Sequence, residues 1–306
     1  MMKVDRISAL PENQKRKKAA SLHKVTRMGN IIEVQYISHH NCKVNNLKMD
    51  KDHYVTVKDG VQHDYKHTEN RSEGAGSLRK TFYKMRSLIN FAVKDVANVR
   101  WITLTYAENM TDTKQLYTDF RDFHKRFKRF CKASGFDIPE YIVMMEPQAR
   151  GAWHAHLLYI FPTRAPFIPN ETLSRIWGRG FVKIKKLDNV DNVGAYLTAY
   201  MTDLVISEED YKKGNVKKAI QKGARLHLYP TGMQIVRHSR GIKEPEPEWM
   251  EQEEAAAAVV GMSETYRKTV HIQSDDGLDM YVETVYYNRI RKEGEQIWGE
   301  KINEIS

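Results

Sequence analysis

Cysteine is scarce in this chain: Cys42 and Cys131 are the two among 306 residues. A disulfide framework is therefore excluded, and a reducing compartment is expected. Long apolar runs are missing as well. No segment approaches the roughly 18 unbroken apolar residues of a membrane span, and the longest alanine run, residues 255–258, is short and lies among glutamates. The first 20 residues carry a basic cluster, but no apolar stretch of a signal peptide follows it. These features predict a cytoplasmic protein with no membrane partner. There is no internal repeat of solenoid or propeller period, and no G-x-x-x-x-G-K-[ST] phosphate loop. His39-His40-x-Cys42 and His63-x-x-x-His67 each lack the matching second pair that structural zinc needs. What is present, 41% hydrophobic and 29% charged residues, supplies apolar material for one large or two modest cores.

Charge is unevenly spread. Residues 1–100 hold 20 basic and 10 acidic side chains, and residues 101–200 hold 14 and 10. Residues 244–306 reverse the sign, with 6 basic and 15 acidic. A basic body with an acidic C-terminal segment suits a polyanionic partner, although a solvated surface has the same composition.

The chain reads as three regions: a basic N-terminal region with a few strands (1–77), a central domain (78–243) and an acidic C-terminal extension (244–306). Strands are predicted near 31–38 and 54–58, the second closed by Asp59-Gly60, and residues 63–77 are the best linker. A helix is predicted over 78–96. Residues 100–106 alternate β-branched and aromatic side chains, as a strand does. Leu116, Phe120, Phe123, Phe127 and Phe130 then recur at helical spacing, with Thr111 or Asp112 as cap. Strands at 141–146 and 153–161 flank a tight turn, followed by a short helix at 170–177 and a strand at 181–185. Residues 190–205 read as a helix with Asp188, Asn189 or Asp191 available as cap. Residues 227–237 read as extended, and 265–273 with 278–287 as a hairpin. The order predicts an α+β fold, an antiparallel sheet with helices on it.

His154 and His156 are two apart on a strand, so both imidazoles share one face. Spacing alone fits two packed strand histidines equally well. Glu146 lies across the turn, and its carboxylate joins that face if Gly151 adopts a bulge or a positive φ. Two imidazoles and a carboxylate suit Mn²⁺ or Mg²⁺ with open positions for substrate; the alternative is a rim carboxylate paired with Arg150. Tyr196 and Tyr200, at i and i+4, share a helix face, beside an apolar stripe of Val193, Leu197, Met201 and Leu204. Trp153 points to the opposite side of its strand, into the core.

The order of these motifs, the strand 102–106, then Glu146 with His154-Ala155-His156, then Tyr196-x-x-x-Tyr200, resembles the HUH endonuclease superfamily. Within it the chain is similar to rolling-circle replication initiators of small plasmids and bacteriophages, over roughly residues 99–205. The resemblance implies a ferredoxin- or RRM-like sheet holding a divalent metal on His154, His156 and Glu146. It also implies tyrosine nucleophiles, Tyr196 and Tyr200, that nick single-stranded DNA and keep the 5′ phosphate. Ala199 stands where many relatives have a lysine. DNA contacts are expected from Thr105 and Tyr106 at the strand end, Arg150 in the turn, and Lys125 and Arg129 on the basic helix. The implied partners are single-stranded or supercoiled origin DNA and a host helicase with its replication machinery, since these residues hold no phosphate loop. Two other readings fit the same residues: an HUH transposase or relaxase, and a non-catalytic RRM-like nucleic-acid-binding protein.

Overall fold

A computed structural model describes residues 22–38, 46–67, 75–148, 151–187, 190–200, 228–230, 232–272 and 280–290, with backbone alone for 75–79 and 199–200. The fold is α+β, with antiparallel sheets and, among the described residues, five α-helices. Two units divide it: one takes the described residues of 1–27, 31–69 and 246–293, the other those of 28–30 and 70–245. No helix among the described residues is long and apolar enough to cross a membrane.

The first unit joins the two ends of the chain. Its strands are β1 (Leu22–Met28), β2 (Ile31–Ile37), β11 (Glu248–Glu251), β12 (Ser263–Ile272) and β13 (Met280–Asn288), in a sheet of order β11-β1-β2-β13-β12. The predicted hairpin is β12 against β13, antiparallel from Ser263↔Asn288 to Ile272↔Met280. Its far strand then pairs with β2, Val282↔Ile37 through Asn288↔Ile31. Val25, Ile32, Met250 and Ala255 form a small core beneath helix α5 (Gln252–Ala257). A separate three-stranded sheet holds β3 (Asn46–Lys48), β4 (His53–Thr56) and β5 (Gln62–Asp64), so the stretch read as linker begins inside a strand.

The second unit is built on a five-stranded antiparallel sheet. Its strands are β6 (Val99–Thr105), β7 (Glu140–Pro147), β8 (Trp153–Ile160), β9 (Val182–Lys185) and β10 (Val236–His238). They lie in the order β10-β7-β8-β6-β9. Of the stretch 227–237 read as extended, only its end belongs to a strand. Helix α2 (Thr113–Ala133) covers one face. It starts at Asp112, whose carboxylate accepts from the Lys114 and Gln115 amides at 2.8 and 3.2 Å, satisfying donors a helix start leaves open. Leu116, Phe120, Phe123 and Phe127 are buried along one stripe, and Phe127 stacks on Tyr159 of β8 at 4.4 Å. Each such side chain removed from water contributes about 1.5–3 kcal/mol. Helix α3 (Asn170–Trp177) closes the same face, where Trp177 meets Phe123 and Tyr106 edge-on. Asp119 is buried there but fully engaged: the Tyr106 hydroxyl, the Gln115 amide and Arg179 all donate to it.

The opposite face is covered by α1 (Ala75–Ala92) and α4 (Val193–Tyr200), which pack on each other. Met85 and Ile89 of α1 and Leu197 of α4 meet Trp101, Met144 and His156 of the sheet around one apolar cavity. Helix α4 starts later than the sequence suggests. Its cap is Asn192, whose side-chain oxygen accepts from the Ala195 amide at 3.0 Å, and not Asp188, Asn189 or Asp191. Asp191 stands one position too early to reach the first free amides, and 188 and 189 lie outside the described residues.

Candidate metal centre beside the tyrosine helix

β8 runs through the middle of the sheet, and its register settles which side chains meet. Glu146 on β7 lies directly opposite His154, and Thr105 on β6 lies opposite it on the other side. His156, two positions on, faces Met144 and Thr103. Period-two alternation therefore puts Glu146, His154, His156, Thr103 and Thr105 on one face, and Trp153 on the other. The turn between β7 and β8 makes this pairing possible. Gln148 donates to the Ala152 carbonyl at 2.7 Å, and Gly151 takes φ +83, a left-handed conformation for which glycine carries no steric cost.

Glu146 and His154 are buried, and His156 nearly so. His154 Nε2 and His156 Nε2 stand 2.9 Å apart, and Glu146 Oε2 lies 2.8 Å from His156 Nε2 and 3.3 Å from His154 Nε2. Burial pushes the Glu146 carboxyl up, but hydrogen bonds from the two imidazoles outweigh it and hold the group down at about 2. The site thus keeps a carboxylate at any ordinary pH. Among the described residues these three form a group that can hold a metal ion. The edges of the triangle support the fit: in an octahedron with bonds of about 2.1 Å, neighbouring ligand atoms stand about 3.0 Å apart. His156 is oriented from behind by Thr103, whose hydroxyl lies 3.3 Å from Nδ1, and by Trp101, whose ring sits 5.6 Å away. A hydrogen bond at the far nitrogen fixes which nitrogen is presented to the site. His154 Nδ1 is buried without a hydrogen-bond partner among the described residues.

Helix α4 sits on this same face, with Leu197 against the cavity that His156 lines. Tyr196 packs at the edge of that core, and Tyr200 stands one turn further along the helix. The helix is anchored at its start. Asn90 of α1 accepts from the Gly194 amide at 2.7 Å and donates to Asn192 at 2.9 Å. Gly194 lies so close to α1 that an added Cβ would come within 2.5 Å of the Arg86 carbonyl oxygen. Asn90→Ala would leave the buried Gly194 amide unsatisfied. It is expected to cost about 1–3 kcal/mol, read as a lower midpoint in urea unfolding of the full chain. An unchanged midpoint would show that the anchor is dispensable.

The other expected contact residues scatter. Thr105 borders the triad as the cross-strand neighbour of His154. Tyr106 is buried on the α2 side, its hydroxyl donating to Asp119 at 3.0 Å. Lys125 and Arg129 are exposed on α2, on the side of the sheet away from the triad, and Lys125 lies 3.8 Å from Asp122. Arg150 lies outside the described residues, as do His39, His40 and Cys42, and Met201 and Leu204 of the predicted stripe. His63 stacks on Tyr54 while His67 pairs with Asp52 at 2.8 Å, so the two form no common cluster. Trp153 is buried, its indole donating to the Thr111 carbonyl. Sequence reasoning passed over Thr103, Asn90 and Lys183. Lys183 is exposed on β9 opposite Thr103, and by alternation it faces the triad side. Its signal was the period of the strand 181–185, which needed the pairing to become meaningful.

These elements define an α+β unit whose antiparallel sheet presents a two-histidine, one-carboxylate group beside a tyrosine-bearing helix. Residues 99–204 match the family of replication-associated protein ORF2. The matched segment is about a third of the chain, contains the whole triad and both tyrosines, and supports a replication-initiator role. Comparisons with curated proteins and with solved structures gave no match.

Proposed function

We propose that this chain starts rolling-circle replication by nicking and rejoining single-stranded origin DNA, with an HUH-type centre of the two-tyrosine kind. The observation that carries the reading is the placement of α4, with Tyr196 and Tyr200, on the sheet face that bears Glu146, His154 and His156. A Mn²⁺ or Mg²⁺ ion on these three side chains would neutralise charge on the non-bridging phosphate oxygens. The donor set, hard carboxylate with two imidazoles and no thiolate, suits those ions.

The protein's own groups do the rest. A tyrosine phenol, weakly nucleophilic near its ordinary value of about 10, loses its proton and attacks the scissile phosphorus. A Tyr–O–P bond forms and the P–O3′ bond breaks, and the leaving 3′ oxygen takes up a proton. One phosphodiester replaces another, so a free 3′-OH can reverse the reaction without ATP. The second tyrosine permits another cleavage while the first remains esterified. Thr103 keeps the His156 ring in place, and Lys183 and Thr105 offer a cation and a hydroxyl to flanking phosphates. Unwinding of a supercoiled origin falls to a host helicase.

Incubation of the protein with single-stranded origin oligonucleotides and Mn²⁺ tests this. A shortened product whose 3′ end a polymerase extends, with its 5′ counterpart held on the protein through SDS, is expected. Intact oligonucleotide at every metal concentration would leave a nucleic-acid-binding protein. Amplification of a circular plasmid, rather than strand transfer into a target, separates an initiator from a transposase or relaxase.

A further inference from the structure

The sheet face opposite the triad carries a groove that the reaction above does not use. It lies between α2 and the edge strand β10, with a volume of about 400 Å³, and its walls include Tyr117, Arg121, His124, Lys125, Tyr141 and Arg237. Alternation along β10 sends Arg237 to this side, away from Val236 and His238. The Arg237 guanidinium lies 3.6 Å over the Tyr117 ring, and its Nε is buried with no hydrogen-bond partner among the described residues. Arg121 and Lys125 approach a single carboxylate, Asp122, at 3.1 and 3.8 Å. Three cations thus stand around the groove against one acid.

The rings are equally directed. Tyr141 meets His124 at 4.7 Å and Phe120 at 5.2 Å, both edge-on, so the Tyr141 ring is fixed at the groove wall. His124 is kept uncharged: burial above all, with Lys128 nearby, holds it down at about 4, and its Nδ1 lies 2.9 Å from the Tyr159 hydroxyl. A fixed aromatic wall is a surface for a base, and a guanidinium with an unpartnered N–H is a donor for phosphate. The volume falls in the range of a small-ligand site.

We infer that this groove binds a nucleoside phosphate, with the phosphate on Arg237, Arg121 and Lys125 and the base against Tyr117 and Tyr141. The unit can come from a single strand of DNA or from a free nucleotide. The replication role favours the strand, and the nicking chemistry is not required.

The test uses the full chain, fluorescein-labelled oligo(dT) carrying one 5-bromodeoxyuridine, and dTMP as competitor. Arg237→Gln is expected to weaken oligonucleotide binding about tenfold, the loss of one charged hydrogen-bonding group. Arg121→Ala/Lys125→Ala, at two exposed positions that folding does not need, is expected to weaken it similarly. Ultraviolet cross-links should map to peptides holding Tyr117 or Tyr141, and should persist in His156→Ala, which disables the triad alone. Cross-links that dTMP cannot displace identify the strand as the source, and displacement by micromolar dTMP identifies the free nucleotide. Unchanged affinity for both probes in both variants, with cross-links elsewhere, overturns the assignment.

Discussion

A Tyr196→Phe/Tyr200→Phe double variant is expected to form no covalent DNA adduct while keeping its fold and its metal. The phenol oxygen is the only atom removed from each ring, and Phe is accepted where Tyr196 packs at the core edge. Loss should exceed about a thousandfold, the scale on which removing a covalent nucleophile acts. Each single variant separates the roles. If Tyr196 alone attacks first, Tyr196→Phe should equal the double variant in the first cleavage, whereas Tyr200→Phe should still cleave once and fail in the second round. The readout is protein–DNA complex surviving SDS, quantified with end-labelled oligonucleotide. An adduct in the double variant would assign the chemistry to another nucleophile.

His156→Ala is the second substitution with a large expected effect. His156 occupies the centre of the site: it contacts both other ligands, at 2.8 and 2.9 Å, and is oriented by Thr103. Its loss leaves one imidazole and one carboxylate, too few to hold a divalent ion against water. Mn²⁺ binding by calorimetry should fall at least about a hundredfold, and cleavage with it. Thr103→Val, which removes only the hydroxyl behind the ring, should reduce metal affinity by about 10–100-fold, the range of such outer contacts. If Thr103→Val weakens binding as much as His156→Ala does, the ligand set has been assigned wrongly. Glu146→Gln keeps the shape of the side chain and loses its charge. It distinguishes charge from packing, because a packing role predicts no change in Mn²⁺ affinity.

The central sheet was legible because its signals are local. Residues 100–106 and 153–161 alternate, helix α2 shows its stripe of phenylalanines, and Asp112 precedes it as a cap. Period two put His154 and His156 on one face with no knowledge of the fold. Glu146 was a weaker inference, since its face depends on how many residues the turn absorbs, and Gly151 with φ +83 is where the pairing was decided. Three things escaped for the same reason, that they are set by contacts distant in sequence. Strands β2 and β13 pair across some 250 residues, Thr284 against Gln35 for example, so the two ends of the chain share a sheet that no local pattern announces. The start of α4 is fixed by Asn192 together with Asn90, one hundred and two positions away. Amphipathicity also says that α2 has a polar side but not which face of the sheet it covers. Lys125 and Arg129 therefore read as neighbours of the triad, and the structure puts them on the far side.

The most direct test of the account is to locate the covalent bond. The protein is incubated with a single-stranded origin oligonucleotide in Mn²⁺, then in chelator. The adduct is digested with nuclease and protease, and the nucleotide-bearing peptide is sequenced by mass spectrometry. The account requires a phosphotyrosine linkage at Tyr196 or Tyr200, present with the ion and absent with chelator. A linkage on any residue outside α4, or one that forms equally well without a divalent ion, would contradict it.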